Sequence, residues 1–519
     1  MALVRWVREG YAVAVSGAGR LIGRHATKSK LPAHTKMKKT LLASLLAMTL
    51  LQPLAVYADL PSLPDLGEIS DASLSMADEA RIGRDFMRAM RDAGDVVEDA
   101  EVNDYINVLG HRLSATVRMP GLQLTYFVVN DKQINAFAMP GGYVGINSGL
   151  LVGTQSEGEL ASVVGHETAH VTQRHIARMK AASDATSPLL LLGTVLAAVL
   201  ASRAGGSQAS IGTLSAGLGL QISNQLSFSR DFEREADRVG MQYLAQGGFD
   251  VRAMPAFFQR LDAANRYSDN NAYAFLRTHP VTSQRISEAQ NRALEYSVKM
   301  KADSTAYLLV REKLRVMSMS PDEAVRYYQT MLEKGQYLNE GAAWYGMSRA
   351  QLASHQLPAA RSALAKAESR LPADPMLFGQ DAAIAREGGD WSAALASLRR
   401  GQAQFKDSQP LQLAELDVLI DSGNRTAALA LLRQLQSRYP RLAALYRSEA
   451  KLFADKDAQR YHAALGNAFY FERRYEAALE QFQFAAQAKG DDFYLRSSIE
   501  ARMREVEKML KEEKKDSGK

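Results

Sequence analysis

Two histidines four residues apart on a helix, with a glutamate directly after the first, can hold a metal ion and move a proton beside it. Gly165-His166-Glu167-Thr168-Ala169-His170 has that pattern. In a helix His166 and His170 project from one face and can share a tetrahedral zinc. Glu167 is turned sideways by one position, toward the water on the metal. Zinc lowers the pKa of that water toward ~7, and Glu167 would take its proton during attack on a peptide carbonyl. A third ligand must come from another element. The short-spacer pattern that ends in a third histidine is absent, because Gln173 and Ile176 occupy its Gly and His positions. On a continuous helix His175 falls about half a turn from His166 and reads as a surface or packing histidine. Glu233 and Asp237 are again four residues apart, so one can bind zinc while the other supports the site from the same face. Glu235 is turned roughly 200° from Glu233, toward solvent or Arg238.

These residues need elements to carry them. Helical periodicity runs from about Ala77 to Met90 and from Asn103 to Val117. Leu122 to Val129 is rich in β-formers and predicts a strand. Met139-Pro140-Gly141-Gly142 predicts a turn, and Tyr143 to Asn147 a second strand. A single long helix is expected from about Ser156 to Ala181, with both zinc histidines inside it. The apolar run Leu189 to Ala201 is too short to span a bilayer as a helix. It fits a buried or lid helix, or a segment that touches the membrane surface or plugs the cleft.

The C-terminal third repeats. Ala360, Ala394 and Ala428 stand 34 residues apart, and Leu364, Leu398 and Leu432 keep the same step. Pro372 and Pro440 follow at matching positions. Small-x₃-bulky at this period is the tetratricopeptide pattern, in which each helical pair buries its faces only by stacking on its neighbours. An offset unit holds Gly466 in its first helix and Ala478, Phe482 and Ala485 in its second.

At 519 residues the chain has room for two or three domains. Its basicity is confined to the start. The first 58 residues hold nine Lys and Arg and one Glu, leaving 54 basic against 56 acidic residues. That balance gives no basis for nucleic-acid binding. Met37-Lys38-Lys39, the apolar run Leu41 to Leu54, and small residues before Asp59 predict a secretory signal peptide cleaved after Ala58, with an Arg-rich, acid-poor transit peptide in Met1–Lys30 as the rival reading. Residues 1–36 then read as an over-extended start. There is no cysteine, which excludes thiolate nucleophiles, thiolate zinc sites and disulfides.

His166-Glu167-x-x-His170 followed by Glu233-x-x-x-Asp237 resembles the CAAX-prenyl-protease/HtpX-type metallopeptidase family. Asn135 to Asn147 resembles that family's strand before the zinc helix, and Thr278-His279-Pro280 with Arg285 its C-terminal element. The resemblance implies an α+β zincin-type metallopeptidase domain, here 59–300. An all-α tetratricopeptide-repeat solenoid would follow at 301–495, then a charged tail at 496–519. It implies one Zn²⁺ per chain held by His166, His170 and Glu233, with Glu167 as general base. Asp237 would orient a ligand or donate a proton. His279 would be a fourth ligand or stabilise the oxyanion, supported by Arg285. The strand Tyr143, Val144, Gly145, Ile146 would be an edge that pairs with extended substrate. The implied clients are unfolded or misassembled outer-membrane proteins, with the β-barrel assembly machinery docking on the repeats in the periplasm.

Two functions follow: an envelope endopeptidase, or a chaperone and scaffold in which proteolysis is secondary. A complete ligand set favours retained catalysis, since a dead scaffold has no need of Glu167.

Overall fold

Three short strands form the sheet that carries the site: β1 (Thr125–Val129), β2 (Ala136–Met139) and β3 (Tyr143–Asn147). Their order is β1-β3-β2, with β3 parallel to β1 and antiparallel to β2. The computed structural model describes residues 74–182, 228–267, 275–299, 301–490 and 492–517. The signal segment, the leader after Asp59 and the run Leu189 to Ala201 lie outside the described residues. Among the described residues no helix is long and apolar enough to cross a membrane.

The topology overturns one expectation. Tyr143, Val144, Gly145 and Ile146 lie in the central strand, paired through register on both sides. Their backbone groups are committed to the ladder and cannot take an extended substrate. The edge nearest the helix that carries His166 and His170 is β2, a strand that low-propensity Ala136 and Ala138 do not announce.

Helices surround the sheet: α1 (Met76–Ala93), α2 (Ala100–Leu113), α3 (Ser148–Gly153), α4 (Glu157–Thr172) and α5 (His175–Ala182) come first. α6 (Arg230–Gln246), α7 (Ala253–Tyr267), α8 (Phe275–Thr278) and α9 (Ser283–Ala293) complete this part. Ser156 caps α4 by accepting from Glu159 N, and Ser229 caps α6 by accepting from Phe232 N, each satisfying an orphan donor.

The expected long helix is two helices. α4 stops at Thr172, and Arg174 adopts a left-handed φ of 51°. That conformation costs a non-glycine residue roughly 1–2 kcal/mol. Tertiary contacts offset it: Arg174 donates to Glu79 Oε2 at 3.1 Å and to the Leu74 carbonyl at 2.7 Å. α5 therefore leaves in a new direction, starting with His175.

The repeats follow as helical pairs. α10 (Thr305–Met317) and α11 (Pro321–Lys334) precede α12 (Glu340–Ala353) and α13 (Leu357–Glu368). Then come α14 (Pro375–Glu387) with α15 (Trp391–Gln404), and α16 (Gln409–Asp421) with α17 (Arg425–Arg438). The periodic residues Ala360, Ala394, Ala428, Leu364, Leu398 and Leu432 are all buried, as the repeat reading requires. An extra helix, α18 (Ala443–Phe453), precedes α19 (Ala458–Phe471) and α20 (Tyr475–Gln487), which explains the offset of the last unit. There a Cβ on Gly466 would meet the Phe482 ring at 2.6 Å, so only glycine lets that pair close. α21 (Phe493–Ser517) ends the described chain.

The sheet-bearing part and the first repeats share one core. Leu109, Val144, Leu160, Met241 and Phe257 belong to the same buried cluster as Tyr307, Tyr345, Leu364 and Leu377. Buried charge joins the two as well. Lys313 of α10 lies 2.6 Å from both Asp99 and Glu101 at the start of α2. Arg474 lies 2.6 Å from Asp92 of α1.

Candidate metal centre

α4 and α6 touch through glycines. A Cβ on Gly165 would lie 3.1 Å from the Gly240 carbonyl oxygen, tighter than ordinary packing. This contact brings Glu233 and Asp237, one turn apart on α6, onto the histidine face of α4. His279 arrives from the end of α8, where its N–H donates to the Phe275 carbonyl at 2.8 Å. Its ring is held between Phe275 and Phe228, with centroids 4.8 and 5.8 Å away.

His166, His170, Glu233 and His279 are buried, and their ligand atoms lie within 4.8 Å of one another. His166 Nε2 is 3.1 Å from His170 Nε2, 3.4 Å from His279 Nδ1 and 3.5 Å from Glu233 Oε2. His170 Nε2 is 3.5 Å from Glu233 Oε1, which lies 2.8 Å from His279 Nδ1. Ligand bonds of ~2.0–2.1 Å around a tetrahedral zinc imply donor separations of about 3.3 Å. The two histidines and Glu233 match that spacing closely.

Arg285 holds the carboxylates. Its Nε and Nη2 donate to the two oxygens of Asp237, each at 2.8 Å, and Nη1 lies 2.7 Å from Glu233 Oε2. Asp237 Oδ1 is in turn 3.0 Å from His166 Nδ1. A carboxylate behind a histidine turns the other ring nitrogen outward as a ligand.

The electrostatics are those of a cation site. Burial alone would strip His166 of its proton, yet Asp237 and Glu233 outweigh it and push the group up to about 10. Burial opposes the Glu233 charge too, but His279 and Arg285 hold that carboxyl well below its ordinary range. For His170 burial outweighs the pull of Glu233 and, with the nearby His166 and His279, drives it far down, toward the neutral form a ligand needs.

Glu167 stands apart from this group. It is fully buried, and neither carboxylate oxygen makes a hydrogen bond of ordinary geometry among the described residues. His279 Nε2 lies 3.4 Å from its Oε1. Burial raises its pKa against weaker downward pulls from His279, His166 and the Ala138 N–H, as suits a proton acceptor. An unpaired buried carboxylate is costly, and water activated by an adjacent metal would satisfy it.

Among the described residues no strand pairs with the outer edge of β2, which runs beside Glu167. Asn147 N donates to Asn135 O toward β3 at 3.0 Å. Antiparallel alternation therefore turns the backbone groups of Ala136 and Ala138 away from the sheet. At one end α8 covers the edge, where Phe275 N donates to Ile134 O.

The structure thus brings together His166, His170, Glu233, Glu167, Asp237, His279 and Arg285. Of the two readings of His175, packing holds: it is fully buried, with its Nδ1 2.9 Å from His170 Nδ1. Glu235 is partly exposed, but its partners are His175 Nε2 at 3.3 Å and Arg178 Nη1 at 2.9 Å. The contact between His175 and His170 could not be read from a helix that continues through residue 174.

Residues 100–293 match the model of peptidase family M48. A Yersinia pestis protein named beta-barrel assembly-enhancing protease is 34% identical over 414 residues, 78% of this chain and 84% of that one. The Escherichia coli (strain K12) protein of that name is 33% identical over 334 residues, 63% of this chain and 68% of that one. A Schizosaccharomyces pombe protein, mitochondrial metalloendopeptidase OMA1, is 34% identical over 195 residues, 38% of this chain and 54% of its own.

Proposed function

Since this chain belongs to peptidase family M48 and, within it, to the β-barrel assembly-enhancing proteases, we propose that it is a periplasmic zinc endopeptidase that degrades misfolded or stalled outer-membrane proteins. Its repeats would hold such clients or the machinery that assembles them. Family membership makes it a metalloprotease with a role in outer-membrane protein assembly. The observation that carries the finer reading is the buried set His166, His170 and Glu233 with unpartnered Glu167 beside it.

A zinc ion held by His166, His170 and Glu233 would polarise the scissile carbonyl and acidify the attacking water. Glu167 accepts the proton released in that attack and can return it to the leaving amine. Asp237 and Arg285 keep His166 and Glu233 in place. Ala136 and Ala138 offer their outward N–H and C=O groups to an extended client, replacing the β3 pairing expected from sequence. Strand addition grips main chain. It therefore selects unfolded segments with little regard to side chains, as clearance of stalled barrel precursors requires.

His279 is the fourth donor in the cluster. A catalytic zinc needs one position open, so as a fourth ligand His279 would keep the site closed, and cleavage would require it to move aside.

The test is Glu167→Gln in purified, zinc-loaded protein given an unfolded outer-membrane protein. Cleavage is expected to fall by about 10²–10⁴-fold while client binding and zinc content persist. Near-parental cleavage by that variant would remove Glu167 from the reaction. Cleavage of soluble unfolded proteins, with outer-membrane proteins spared, would refute the client class.

A further inference from the structure

His170 carries a proton problem that the site solves at a distance. To present a lone pair from Nε2, its ring must keep the proton on Nδ1. His175 Nδ1 is the atom 2.9 Å from that nitrogen. Two N–H groups cannot point at one another, so His175 Nδ1 must accept, and the His175 proton must sit on Nε2. That nitrogen lies 3.3 Å from Glu235 Oε2, an oxygen that can accept its proton. Arg178 Nη1 donates to the same oxygen at 2.9 Å, which fixes the carboxylate in place as the acceptor. Each link admits one direction.

Packing holds the chain in register. Phe232 stacks against the His175 ring at 4.7 Å and 20°, and the Arg178 guanidinium lies over the Phe232 ring at 4.9 Å. The left-handed turn at Arg174 sets His175 here, and no sequence spacing on a continuous helix would.

We propose that His175 and Glu235 are positioning residues for the metal: they lock His170 in the tautomer that binds zinc through Nε2. His166 gets the same service from Asp237 directly, so the two histidine ligands are oriented by different devices. The proposal rests on the zinc reading of the site and adds two residues to it.

The experiment measures zinc affinity by chelator competition and the visible spectrum of the cobalt-loaded protein, in the full chain. His175→Phe keeps the stack on Phe232 but offers no acceptor. His175→Asn places a carbonyl oxygen near the lost Nδ1. Glu235→Ala removes the far end of the relay on a partly exposed side chain. His175→Phe is expected to weaken zinc by about 10–100-fold and to shift the cobalt bands. His175→Asn should recover most of both, and Glu235→Ala should weaken zinc by a smaller factor. Melting of the metal-free chains separates packing from ligation. Should His175→Phe fail to fold, the Asn and Ala variants carry the comparison.

Parental affinity in Glu235→Ala and His175→Phe would overturn the relay. So would a loss in His175→Asn as deep as in His175→Phe, because packing alone would then explain both. A parent that binds zinc no better than His170→Ala would overturn the metal centre itself, and the relay with it.

Discussion

Gly240 of α6 lies so close to His166 of α4 that a Cβ on it would stand 2.9 Å from the His166 backbone nitrogen. The atoms it would meet are backbone, so no side chain can yield. Gly240→Ala must push two ligand-bearing helices apart. A loss of about 1–3 kcal/mol in stability is expected, with weaker zinc binding, checked by thermal unfolding and metal content. Unchanged zinc affinity would mean that the helix contact does not set the ligand spacing.

Glu233→Gln removes the anionic ligand and leaves Arg285 and His279 facing a neutral amide. Zinc affinity is expected to fall by more than the ~10–100-fold typical of losing an outer-sphere partner. Equilibrium dialysis would detect it, and full zinc occupancy would point to another third ligand.

His279→Ala discriminates between two roles left open by its position. As the closing ligand, its loss raises basal cleavage of an unfolded client with zinc retained. As an oxyanion stabiliser, its loss lowers cleavage. An increase is the expected result, and a steep fall with zinc still bound would reverse the assignment.

Asp374, the buried N-cap of α14, is pushed up to about 6 by desolvation, with Glu101 and Asp104 adding to the rise. An acid with a raised folded pKa favours the native state below its unfolded value near 3.8. That stability is lost as pH climbs toward 6. Asp374→Asn keeps the cap and removes the charge, so it should stabilise the protein by roughly 1–3 kcal/mol above pH 6 and by nothing below pH 4. Denaturant melts at the two pH values measure the difference.

The parts of this molecule legible in its sequence are those set by local period. His166 with His170, and Glu233 with Asp237, are helical neighbours whatever the tertiary structure, so the ligand faces could be read directly. Ala360, Ala394 and Ala428 were readable for the same reason. What resisted was set by distant partners. Arginine is a good helix former, and nothing local announces that Arg174 will turn left-handed. Its anchors, Leu74 and Glu79, are ~100 residues away. The contacts that join His170, His175 and Glu235 were missed as a result. β2 failed differently: Ala136 and Ala138 are poor strand formers, held in the sheet by β3. The β1-β3-β2 order, which decides which strand stays free, is a property of chain crossing and leaves no mark on any single segment.

The wide spacing of the centre's parts also has a consequence in time. His166 and His279 are 113 residues apart. Arg285 comes later still, and the turn that seats His175 depends on Leu74 and Glu79 far upstream. A chain that has not yet reached Arg285 lacks part of the centre, so a polypeptide at that stage of synthesis or export cannot cut its neighbours. The protease becomes dangerous only once its own folding has succeeded, and a copy that misfolds is harmless by construction.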